Sequence, residues 1–80
     1  MEERGILNAK KTELEGIVSR VFKQSRNMEE LDKEVWKIRL ERADDLLAVK
    51  KVCDDIIKWI DKYEPEMDKK SLEVFYGSLF

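Results

Sequence analysis

The chain has 80 residues, 16 of them basic and 18 acidic, with no His, one Cys and one Pro. That length allows one domain at most, with a core only marginally sufficient by itself. A single Cys excludes an internal disulfide, and the lack of His leaves a zinc site short of soft ligands.

Charged and hydrophobic residues each make up 42% of the chain. This is too apolar and too periodic for a disordered segment. The charges are interspersed and nearly cancel, which suits solvated helix faces better than a nucleic-acid footprint. Met1-Glu2-Glu3-Arg4-Gly5 is unlike a secretory leader, and no apolar run approaches a membrane span. A cytoplasmic protein without a metal, a cofactor or membrane contact is expected.

In chain order, a first amphipathic helix is expected over about residues 4–25. Ile6, Leu7, Leu14, Ile17, Val18, Val21 and Phe22 share one side at 100° per residue. A competing start at Thr12, which opens a Thr-Glu-Leu-Glu capping box, would leave Ile6 and Leu7 outside. With the earlier start, Lys10 falls within the apolar stripe and must snorkel. Gly16 lies opposite the stripe, where it weakens the helix or admits another backbone.

Ser25-Arg26-Asn27 reads as a turn, with Asn27 as cap and Glu30 three residues later to answer it. The 37 residues from Asn27 to Tyr63 then hold no Gly and no Pro. A long central helix over about 28–63 is expected, with a break near 41–45 as the alternative. Met28, Leu31, Val35 and Ile38 make one stripe, and Leu46, Val49, Val52, Cys53, Ile56, Ile57, Ile60 and Tyr63 continue it at the same phase. Positions 46, 49, 53, 56, 60 and 63 alternate by three and four, as in a short coiled-coil seam.

Arg39, Arg42 and Asp45 interrupt that stripe. There a second one appears: Trp36, Leu40, Ala43 and Leu47. A helix apolar on two sides must bury both, so the second stripe is expected to take a partner. The opposite face, with Lys50/Asp54, Lys51/Asp55 and Asp54/Lys58 at i,i+4, is expected to be solvated. Glu64-Pro65 stops the helix. A last helix over about 66–78, starting at Pro65 or Asp68, carries Leu72, Phe75, Tyr76 and Leu79 on one side.

The fold expected is all-α: a three-helix bundle or helical hairpin around one long helix, associating into a dimeric helical bundle. No constellation of catalytic groups stands out. The acidic doublets Glu2-Glu3, Glu29-Glu30, Asp44-Asp45 and Asp54-Asp55 cannot chelate alone, because neighbours on a helix point about 100° apart. Cys53 reads as a small buried hydrophobe beside carboxylates that would suppress its reactivity.

The functional expectation is a non-enzymatic interaction module, such as an adaptor, inhibitor, assembly factor or other regulatory protein. It would bind a second copy of itself or another protein through Trp36, Leu40, Ala43 and Leu47, with Arg39 and Arg42 as a polar layer or acid-binding pair. The alternative is a dimeric nucleic-acid-binding regulator using Arg20, Lys23 and Arg26. It is disfavoured, because no aromatic residue interleaves those cations and the sequence pI is about 5.2.

Overall fold

Four α-helices account for the secondary structure of the described residues, 3–25 and 28–79, in a computed structural model of the chain. They are α1 (Glu3–Lys23), α2 (Glu30–Glu41), α3 (Leu46–Tyr63) and α4 (Lys70–Leu79). The all-α expectation holds at this level. The radius of gyration is 12.2 Å and the principal extents are 40 × 24 × 17 Å, close to the value of about 12 Å for a compact chain this long.

α1 takes the earlier of its two possible starts. Leu14, Ile17, Val21 and Phe22 are buried, Leu7 and Val18 are half-buried, and Ile6 stays exposed. Lys10 behaves as its stripe position demands. Its side chain is half-buried, and its Nζ lies 5.9 Å from the Phe75 ring centroid and 3.4 Å from Glu13. A Cβ at Gly16 would meet nothing within 4 Å, so no backbone of this chain approaches it closely.

The connection from α1 to α2 is pinned by Ser25. Its hydroxyl accepts from the Met28 backbone N–H at 3.0 Å and also hydrogen-bonds the Glu64 carboxylate at the end of α3. α2 begins after Glu29, whose N–H donates to the Asp32 carboxylate at 3.3 Å. The expected Asn27 cap, like Arg26 and Phe80, lies outside the described residues.

The long helix divides at residues 42–45. The Arg42 N–H closes the end of α2 on the Ile38 carbonyl at 3.0 Å, and the Ala43 N–H follows on the Leu40 carbonyl at 3.1 Å. Asp45, in extended backbone, caps α3 by accepting from the Ala48 N–H at 2.8 Å. Asp is among the strongest N-cap residues, because its side chain satisfies a backbone donor that no helical carbonyl reaches.

α1 packs against α2, α3 and α4, and α3 packs against α2 and α4. The core is one cluster: Leu14, Ile17, Val21 and Phe22 from α1, Leu40 from α2, Val49, Val52, Cys53, Ile56 and Ile60 from α3, and Leu72, Phe75 and Leu79 from α4, with Met28 and Ala43 from the connections. The stripes expected on the first helix, on residues 46–63 and on the last helix therefore face inward, except at Ile6 and Tyr63. α4 starts at Lys70, later than expected, with the Asp68 carboxylate accepting from the Lys70 N–H at 2.9 Å. Pro65 lies in the preceding connection. No helix among the described residues is long and apolar enough to cross a membrane.

Candidate functional site

α2 turns the opposite way from the sequence expectation. Leu40 is 3% exposed and Ala43 5%. Trp36 is half-buried against the core. Leu40 and Ala43 therefore turn toward the rest of the chain rather than outward, with Trp36 partly covered beside them. Leu47, the fourth of that set, is exposed on the first turn of α3. Conversely Leu31, Val35 and Ile38, expected inside, are 70%, 49% and 45% exposed. Of their stripe only Met28 is buried.

The cause is the break after Arg42. The phase of an apolar stripe carries from one segment to the next only while the helix is continuous. Once residues 42–45 leave helical geometry, α2 can rotate about its own axis independently of α3. The chain then turns the stripe containing Trp36 and Leu40 toward the core.

Arg39, Arg42 and Asp45 are not a cluster. Arg39 reaches α3, where its Nη2 meets the Asp55 carboxylate at 2.6 Å, and its guanidinium stacks 5.0 Å from the Trp36 ring. It acts as an ion-pair strut within the chain. Arg42 is exposed at the C-cap of α2, and Asp45 is an N-cap. Asp55 thus pairs with Arg39 rather than with Lys51 in the described ion pairs, whereas Asp54 and Lys58 pair at 3.0 Å as the spacing suggests.

Two features result. The first is a ridge along the outer side of α2, formed by Leu31, Val35 and Ile38. At 100° per residue Glu30, Glu34 and Glu41 run along one edge of it. The second is a groove of about 590 Å³ between α1 and α2. Its apolar wall and floor are Val18, Phe22, Trp36, Leu40 and Ile56. On the α1 side it is bounded by the small residues Thr12, Gly16 and Ser19. Lys23, Lys33 and Lys37 stand around it with one acidic residue, Glu15. Lys33 lies 3.7 Å from Glu30. Lys23, Lys37, Glu34 and Glu41 form no side-chain ion pair among the described residues.

Lys23 and Arg20 are both exposed in the last turn of α1. Of the two described members of the basic corner, Lys23 is the one that joins other cations at the groove. Lys11, next to Lys10 on α1, has a specific role. Its Nζ donates to the carbonyls of Glu41 at 2.7 Å and Ala43 at 3.1 Å. This satisfies orphan acceptors at the end of α2 with a cation. No local pattern could have shown it, since the partners are 30 and 32 residues apart.

Cys53 is fully buried and donates its S–H to the Leu72 carbonyl at 3.4 Å. Burial, and then the charge of Asp54, push its thiol up to about 11. Thiolate chemistry at neutral pH is suppressed by that environment. No group of three or more potential metal ligands occurs among the described residues. No protein family, curated protein or solved structure matches the chain.

Proposed function

We propose that this chain is a small non-enzymatic helical interaction module of the cytoplasm, acting as an adaptor, inhibitor or assembly factor. It docks through the α2 ridge of Leu31, Val35 and Ile38. The exposure of these three large apolar side chains on one face of one helix carries the reading. Single exposed apolar residues are ordinary, but a contiguous set on a folded domain marks an interaction surface. The i, i+4, i+7 spacing is that of an amphipathic helix entering a groove or adding to a helical bundle. Arg39 supports the ridge from behind by holding α2 on α3.

The nucleic-acid reading gains little from the geometry. Among the described residues, its corner retains Arg20 and Lys23 on a chain whose formal net charge is −2.

The experiment is an affinity capture from the native host comparing the wild type with Leu31→Asp/Ile38→Asp. Both positions face solvent, so circular dichroism should show unchanged helicity. Proteins retained by the wild type should be lost by the variant. Identical retention by the two chains would remove the ridge as the docking surface.

A further inference from the structure

The ridge and the groove lie side by side on α2, and each has what the other lacks. Leu31 to Ile38 spans seven residues, about 10 Å of helix, and the α2 side of the groove from Lys33 to Leu40 spans the same length. The ridge is apolar with an acidic edge of Glu30, Glu34 and Glu41, whereas the groove is apolar with Lys23, Lys33 and Lys37 around it. Lys23, Lys37, Glu34 and Glu41 have no ion-pair partner among the described residues. The α1 side of the groove offers low relief, since the space over Gly16 is open to 4 Å.

We propose that the groove is filled by α2 of a second copy of the chain, docked reciprocally about a two-fold axis. Leu31 and Ile38 of each copy pack over the Gly16 track of the other, and Glu34 and Glu41 meet Lys33 and Lys37 across the axis. Length along the helix, apolar character and charge sign match, and a two-fold arrangement satisfies both copies at once. Burying both features also adds core to a chain of marginal size. This rests on the ridge being the docking surface and names its occupant.

The test is sedimentation equilibrium of the full chain from about 1 µM to about 1 mM, a range that brackets weak and moderate dimers. The wild type should dimerise, less tightly at high salt, because the charge pairs are solvent-accessible. Glu34→Lys/Glu41→Lys and Lys33→Glu/Lys37→Glu should each raise the dissociation constant about tenfold or more. Either variant alone sets like charges against each other, whereas their equimolar mixture restores opposite charges at both contacts and should recover the wild-type affinity. All four positions are at least partly exposed, and circular dichroism verifies that each variant folds.

A constant monomer mass over the whole range overturns the inference, while the ridge reading is still judged by the capture experiment. A dimer weakened by Leu31→Asp/Ile38→Asp but unmoved by either charge reversal overturns the groove as its seat and upholds the ridge. A dimer indifferent to all of these variants overturns both. A mixture that associates no better than its two components overturns the reciprocal pairing.

Discussion

The ammonium of Lys11 hydrogen-bonds the backbone carbonyl of Glu41 at 2.7 Å, joining the middle of α1 to the last residue of α2. It also reaches Ala43 at 3.1 Å, so one side chain gathers the carbonyls at the break between α2 and α3. Lys11→Met keeps the aliphatic stem and removes the charge. It should lower unfolding stability by about 1 kcal/mol, the usual scale for a partly exposed charged hydrogen bond. Urea denaturation would show a lower midpoint at unchanged slope; an unmoved midpoint would show the bond to be energetically idle.

Asp45 starts α3 with its own side chain. Asp45→Ala should destabilise the fold by about 1 kcal/mol, whereas Asp45→Asn, which keeps an acceptor oxygen, should cost less. The exposed neighbour Asp44 serves as control, and Asp44→Ala should stay within about 0.5 kcal/mol of wild type. Thermal melts of the three variants test the order. Equal effects at 44 and 45 would contradict the cap.

The rotation of α2 is tested by a pair of truncations. Leu40→Ala should cost about 3 kcal/mol, the scale for a buried leucine. Ile38→Ala, at an exposed position, should change monomer stability by less than about 0.5 kcal/mol. Measurement at low micromolar concentration keeps association out of the comparison. The reverse order would mean that α2 buries the other stripe.

Cys53 should be silent toward thiol reagents in the native state at pH 8 and react promptly once urea unfolds the chain. Its thiol is held at about 11 against an ordinary value near 9.0. Between these values the unfolded chain loses a proton that the folded chain keeps. Its contribution is therefore fully present below pH 9 and declines as pH rises from about 9 to about 11. Cys53→Ala removes this term, so the difference in stability between wild type and variant should shrink over that window. A difference independent of pH would place the thiol in a water-like setting.

Much of the molecule was legible in the sequence because the signals are local. The faces of α1, α3 and α4 follow from which residues recur every three or four positions, and the buried Leu14, Val49, Ile56, Leu72 and Phe75 are where that periodicity puts them. The alternative break near 41–45 was visible as the place where Arg39, Arg42 and Asp45 interrupt the stripe. Its meaning was not, because each of the three acts separately: on α3, at a C-cap and at an N-cap.

The sequence by itself determined that the chain is helical, where α1 and α3 end, and which sides of three helices are apolar. Those properties depend on backbone hydrogen bonds and side chains within a few residues of one another. Only the tertiary structure decided which of two apolar stripes α2 would bury. Both satisfy the same periodicity, and choosing between them takes contacts from α1 and α3, including Lys11 on Glu41 and Arg39 on Asp55. The break at 42–45 released α2 to rotate, and packing turned Leu40 inward and left Leu31, Val35 and Ile38 facing out.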